Sequence, residues 1–66
     1  MGNPAVFAVR KEETVDGRYH EVLWAKDGNL NIAHKRGNVR RFRLWVNARR
    51  FANQKAKELK AKAIFS

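Results

Sequence analysis

Basic side chains dominate a stretch of the chain, residues 28–57, that contains no Asp or Glu. Guanidinium and ammonium groups are the side chains that bind phosphate oxygens. Residues 34–66 carry eleven Lys and Arg against one acid, whereas residues 1–33 carry four against five. Charge gathered on one half of a chain favours an electrostatic contact surface for an anionic partner.

The two tryptophans lie close to this basic stretch in the sequence, Trp24 just before it and Trp45 within it. Exposed aromatic rings stack on nucleic-acid bases, and each stacked base contributes about 1–3 kcal/mol. Aromatic and basic side chains together predict a nucleic-acid interface that recognises the charge of the phosphate backbone more than the base sequence. DNA is favoured over RNA, and the ligand could be single-stranded. The predicted contact residues are Trp24, Lys35, Arg36, Arg40, Arg41, Arg43, Trp45, Arg49 and Arg50.

Arg49 and Arg50 stand at the start of a predicted helix. Cations there oppose the helix dipole, so local stability does not explain them. An anion would satisfy both the guanidinium groups and the free N–H groups of the first turn. This pair is the strongest sequence argument for phosphate contact.

Turn signals and hydrophobic periodicity predict the strands and the helix on which these residues lie. Asp16-Gly17, Asp27-Gly28 and Arg36-Gly37 mark turns between runs rich in β-branched and aromatic residues. The runs predict four strands, at about 5–12, 18–26, 29–34 and 38–47. Ala52, Ala56, Leu59 and Ala63 recur at helical spacing and predict a helix over about 48–64. The predicted fold is α+β, a four-stranded antiparallel meander followed by one C-terminal helix on one face, in a single small basic domain spanning 1–66.

A strand register with favourable turn lengths assigns the two faces of this sheet. It pairs Phe7 with Ala25 and places His34 across from Glu21 as an ion pair. The face under the helix is then formed by Phe7, Val9, Leu23, Ala25, Leu30, Ile32, Phe42, Leu44 and Val46. The uncovered face carries Arg10, His20, Val22, Trp24, Asn31, Ala33, Arg41, Arg43 and Trp45.

Catalytic and metal chemistry find little support in the sequence. The chain has no cysteine, and its two histidines, His20 and His34, are predicted on opposite faces. Thr14 and Ser66 have no base beside them, so no nucleophile with a base and an orienting group can be assembled. We therefore expect a non-enzymatic protein with no catalytic residues, no metal and no cofactor.

A protein partner is the alternative explanation of the same residues. Arg and Trp are also enriched in protein–protein hot spots, so the chain could be a small modulator or inhibitor of the phage or mobile-element type that binds an acidic surface of a larger protein. A homodimer is compatible with the small core. No apolar run approaches a membrane span and the start lacks a signal-peptide pattern, so we expect a cytoplasmic, nucleoid or nuclear protein that is not secreted and does not bind membranes.

Overall fold

A computed structural model describes residues 2–13, 15 and 17–66. The strands are β1 (Ala5–Glu13), β2 (Gly17–Ala25), β3 (Val39–Phe42) and β4 (Ala63–Phe65). A 3₁₀ turn (Leu30–Ile32) leads into the short helix α1 (Ala33–Arg36), and the long helix α2 (Trp45–Leu59) lies between β3 and β4. The four strands form one sheet in the order β3-β2-β1-β4.

The predicted α+β class with a four-stranded sheet is confirmed, but the strictly antiparallel meander is wrong. β2 pairs antiparallel with both β1 and β3, whereas β4 pairs parallel with β1. Ala63 lies opposite Val6, and the N–H of Ser66 donates to the carbonyl of Ala8 at 2.9 Å. The last strand therefore follows α2 and joins the far edge of the sheet.

The β1–β2 hairpin forms with a register two residues from the predicted one. Phe7 lies opposite Leu23 instead of Ala25, and Glu13 lies opposite Gly17. A shift of two residues keeps the same side chains on each face, because side chains alternate with period two. Thr14 and Asp16, which the sequence places at this turn, lie outside the described residues.

The predicted strand at 29–34 is wrong, because this segment forms the 3₁₀ turn and α1. Asp27 explains the difference: its carboxylate accepts a hydrogen bond from the N–H of Asn29 at 3.0 Å and two from the guanidinium of Arg36. These bonds close the connection into helical turns. Gly37, in the left-handed conformation (φ 75°), then ends α1 and returns the chain to β3.

Helix α2 packs its alanine stripe on the sheet. Ala48, Ala52 and Ala56 are buried against Val6, Ala8 and Val22. Small side chains let the helix backbone approach the strands closely, and larger rings close the two sides of the contact. The helix begins at Trp45 and not at 48, and it ends before Lys60, so the prediction of a helix over 48–64 and of a strand over 38–47 needs correction.

The predicted covered and uncovered faces are exchanged on β1 and β2. Val22 and Trp24 lie on the α2 side, whereas Phe7 and Leu23 lie on the opposite side, where α1 packs on β2. β2 is an inner strand with helices on both of its faces, so its sequence is apolar at consecutive positions from Val22 to Ala25. Such a run contains no alternation from which the face under α2 could be chosen.

Candidate functional site

The structure distributes the nine predicted contact residues over several surfaces and does not gather them on one open sheet face. Trp24 lies on the α2 side, half-buried, with its ring 5.5 Å from that of Phe51 and with Lys55 Nζ 4.7 Å from the ring centroid. Trp45 is not on a strand, because it is the first residue of α2. The predicted sharing of one sheet face by Trp24, Arg41, Arg43 and Trp45 is therefore wrong.

Arg41 is engaged with an acid on the sheet face opposite α2. Its Nε donates to Glu21 Oε2 at 3.2 Å, and its guanidinium lies 5.2 Å from the ring centroid of Tyr19. Glu21 is only 2% exposed, and His34 Nε2 lies 3.2 Å from its other oxygen, Oε1, without hydrogen-bond geometry. The predicted Glu21–His34 pair is present, although His34 lies on α1 and not on a strand. Glu21 thus neutralises Arg41, a cation that the linear sequence presents as unpaired.

Arg36 is likewise matched by an acid from earlier in the chain. Its two terminal nitrogens donate to both oxygens of Asp27, at 3.1 and 3.0 Å. These hydrogen bonds, joined by the one from the Asn29 N–H, lower the pKa of Asp27 to about 2 and raise the pKa of Arg36. The Asp27–Arg36 pair therefore links the two ends of the 27–36 connection.

Two further predicted cations are exposed at separate places. Arg40, on edge strand β3, lies over the rings of Phe42 and Phe51 at 5.6 and 5.4 Å from their centroids. Its stem and guanidinium therefore cover the side of the α2–sheet contact. Lys35 is exposed on α1. Neither residue adjoins the exposed aromatic rings described next.

Exposed aromatic rings occur where α2 begins. Trp45 and Phe65 are 39% and 41% exposed and pack edge to face with centroids 5.5 Å apart. The ring of His20 also packs on Trp45, with centroids 5.2 Å apart. β2, α2 and β4 each contribute one ring. The exposed apolar side chains of Leu44 and Val46 flank Trp45 in the chain.

Three arginines without acidic partners among the described residues lie near the start of α2. Arg43 precedes α2, and Arg49 and Arg50 lie one turn after Trp45 and Val46 on the helix. All three are exposed, and none forms an ion pair with a described residue. We call this region the α2 N-terminal surface; it consists of Arg10, His20, Arg43, Leu44, Trp45, Val46, Arg49, Arg50 and Phe65.

The backbone adds positive potential to the same surface. The N–H groups of Asn47 and Ala48 both donate to the carbonyl of Leu44 at 3.2 Å, and Leu44 supplies no side-chain cap. The N–H groups of the preceding residues, Trp45 and Val46, have no partner within the helix, and the helix dipole places partial positive charge there. Arg49 and Arg50 therefore raise a potential that is already positive.

A shallow depression of about 330 Å³ opens beside Trp45 and is lined by Arg10, His20, Trp45 and Ser66. Arg10 forms an exposed ion pair with Glu12 at 3.1 Å, which holds it only weakly. Arg10, His20 and Phe65 were not among the predicted contact residues. Arg10 and His20 were predicted on one face, and they do lie opposite each other on β1 and β2, so the pattern contained part of this signal.

A second depression of about 470 Å³ lies between β2 and the C-terminal half of α2. It is lined by Trp24, Lys26, Arg36, Asn38, Lys55, Glu58 and Leu59. Two of its cations are paired, Arg36 with Asp27 and Lys55 with Glu58 at 3.1 Å. Lys55 also occupies a face of the Trp24 ring, so this depression offers less free charge and less free aromatic surface than the α2 N-terminal surface.

Among residues 2–13, 15 and 17–66, no three His, Cys, Asp or Glu side chains form a group that could hold a metal ion. Within the same residues, no helix has the length and apolar character needed to cross a membrane. Comparison of the chain with protein-family models, with curated proteins and with solved structures finds no significant match.

Proposed function

We propose that the protein is a non-enzymatic nucleic-acid-binding module whose contact surface is the α2 N-terminal surface. DNA is the favoured ligand, as the sequence predicts. Arg43, Arg49 and Arg50 hold backbone phosphates, and the exposed ring of Trp45 stacks on a base. The proposal keeps Arg43, Trp45, Arg49 and Arg50 from the predicted contact residues and assigns Trp24, Arg36, Arg40 and Arg41 mainly to the packing and pairing of the fold.

The observation that carries this proposal is the coincidence of unpaired arginines with exposed aromatic rings at one helix terminus. Arg43 lies just before the N-cap residue Leu44, and Arg49 and Arg50 follow the first turn of α2, so their guanidinium groups add positive charge around a helix end that has no side-chain cap. A phosphate group bound there hydrogen-bonds to the free N–H groups and is attracted by the guanidinium groups. The net charge of +9 adds long-range attraction for a polyanion.

An acidic protein surface is the second candidate ligand, and one observation favours it. Leu44 and Val46 are exposed apolar side chains on the α2 N-terminal surface, and exposed apolar groups with polar residues around them are typical of protein-interaction sites. This candidate is the modulator or inhibitor expected from the sequence as the alternative. Both candidate functions use the α2 N-terminal surface, and they differ in whether that surface binds a nucleic acid or an acidic protein.

Fluorescence anisotropy with labelled oligonucleotides across a salt series tests the proposal. Bound phosphates release counterions, so the logarithm of the association constant should fall linearly with the logarithm of salt, by about 0.7 per phosphate contact on a single strand and about 0.9 on a duplex. Phosphate contacts by Arg43, Arg49 and Arg50 therefore predict that this plot has a slope of about −2 or steeper. Absence of binding at low salt, or a slope near zero, would contradict the proposal and leave the acidic protein as the candidate.

A further inference from the structure

The depression beside Trp45 has properties that phosphate binding alone does not require. Its volume of about 330 Å³ is at the lower end of the range for small-molecule sites and suits one planar heterocycle. Trp45 and His20 supply aromatic rings to its lining, and Arg10 supplies a cation on the side of β1. A site that only followed a phosphate backbone would need no concave space lined by two rings.

His20 brings a polar group into this depression with a fixed orientation. Its ring packs on Trp45 with centroids 5.2 Å apart. Its Nδ1 is buried and has no hydrogen-bond partner among the described residues, which leaves Nε2 as the nitrogen available to a ligand. An imidazole nitrogen held beside an aromatic face can pair with the donor and acceptor groups on the edge of a base.

Base pairing and stacking decide which nucleic acid can use such a site. In a duplex each base lies between its neighbours and its pairing edge is occupied, so entry into a concave site costs the unstacking and unpairing of that base. In a single strand that cost is small. The depression therefore discriminates against duplexes, whereas the arginines around it attract both forms.

We propose that the depression lined by Arg10, His20, Trp45 and Ser66 binds one unpaired base of a single-stranded nucleic acid, stacked on Trp45 and contacted on its edge by His20. Arg10 neutralises the phosphate next to that base. This inference depends on the proposed nucleic-acid-binding function. It adds a preference for single strands and a base-contacting residue.

Competition between single-stranded and duplex oligonucleotides of about 16 nucleotides tests the strand preference. We expect wild-type protein to bind the single strand more tightly than the duplex. Trp45→Ala should weaken binding of the single strand about 5- to 100-fold, because one stacked base is lost, and should change duplex binding far less. Trp45→Phe, which keeps an aromatic face, should recover much of the affinity. Ile64→Ala, at an exposed apolar residue of β4 that belongs neither to the depression nor to the α2 N-terminal surface, is the matched control and should leave the preference unchanged.

The role of His20 is tested by affinities for oligothymidylate, oligocytidylate and oligoadenylate. His20→Phe keeps a ring on Trp45 and removes both nitrogens, so it should reduce the differences in affinity among the three homopolymers. Equal discrimination by wild type and His20→Phe would remove the assigned role of His20. Salt-dependent binding with the duplex bound as tightly as the single strand would overturn the base site and leave the proposed function standing. Absence of binding to any oligonucleotide would overturn both.

Discussion

Some arginines of the acid-free stretch 28–57 form ion pairs with carboxylates, whereas others in the same stretch have no acidic partner among the described residues. Around the 27–36 connection and the sheet face opposite α2, Arg36 and Arg41 are matched by carboxylates from earlier in the chain. On the α2 N-terminal surface, Arg43 and its neighbours on the helix have no such partner among the described residues. A run of charge in a sequence therefore does not reveal which cations are available to a ligand; the fold decides that by bringing acids to some of them.

Removal of charged side chains should have different effects in the two regions. On the α2 N-terminal surface, the loss of arginines should weaken ligand binding and leave the fold intact. Around Glu21 and Asp27, the loss of a carboxylate should weaken the fold and leave ligand binding intact.

Replacement of both helix arginines, Arg49→Gln with Arg50→Gln, should weaken single-strand binding on the order of 100-fold at about 50 mM salt. Each lost phosphate contact removes about 0.7 from the salt slope, which at this salt corresponds to roughly tenfold in affinity. The free energy of unfolding should change by no more than about 0.5 kcal/mol, because both arginines are exposed and form no ion pair with a described residue. Anisotropy and urea unfolding measure the two quantities.

The control for this variant removes the same charge outside the α2 N-terminal surface. Lys57 lies in the last turn of α2 and Lys62 in the connection to β4, and both are exposed. Lys57→Gln with Lys62→Gln should change affinity only about threefold, through the reduced net charge. Equal loss of binding in the two double variants would show that net charge alone governs binding and that the α2 N-terminal surface has no special role.

Glu21→Ala should lower the free energy of unfolding by about 1–3 kcal/mol, because the buried carboxylate of Glu21 holds Arg41 and faces His34. Urea unfolding measures the change. Glu58→Ala is the control: Glu58 is exposed and pairs with Lys55 on the helix surface, so the loss should be within about 0.5 kcal/mol. At a temperature where Glu21→Ala is folded, its affinity for oligonucleotides should equal that of wild type. A stable Glu21→Ala variant with impaired binding would reverse the assignment of the two regions.

The smallest expected effect is a pH dependence from Asp27. Its pKa is about 2 in the fold, below the ordinary value of 3.8, because Arg36 donates hydrogen bonds to it. The lowered value means that the pair contributes stability above about pH 4, and that this contribution is lost as the pH falls toward 2. Asp27→Asn has no carboxylate to protonate at this position. Its Tm should therefore fall less between pH 4 and pH 2 than that of wild type, and equal falls would show that the pair does not stabilise the fold.

The sequence predicts the parts of this fold that depend on local patterns. The β1–β2 hairpin, the turn at Asp27-Gly28 and the helical spacing of Ala52 and Ala56 all arise from nearby residues, and each is present. The charge asymmetry is also a property of the sequence alone. The pairing of His34 with Glu21 is predicted from a strand at 29–34, whereas the structure has α1 there. Both arrangements nevertheless bring His34 beside Glu21.

The remaining features depend on contacts between distant segments. Whether Val22 or Leu23 faces α2 cannot be decided from an inner strand that is apolar on both faces. Trp45 and Val46 have high strand propensity, yet they form the first turn of α2, the helix that packs on the sheet through Ala48, Ala52 and Ala56. Phe65 enters the candidate site only because β4 joins the far edge of the sheet beside β1.

Titration of the ¹⁵N-labelled protein with a single-stranded oligonucleotide, followed through the indole N–H signals of its two tryptophans, shows which surface the nucleic acid contacts. Trp45 lies on the α2 N-terminal surface, whereas Trp24 lies beneath Lys55 and beside Phe51. We predict that the Trp45 signal shifts and saturates with the oligonucleotide while the Trp24 signal stays in place. A shift of the Trp24 signal with an unchanged Trp45 signal, or no shift of either, would contradict the assignment of nucleic-acid binding to the α2 N-terminal surface.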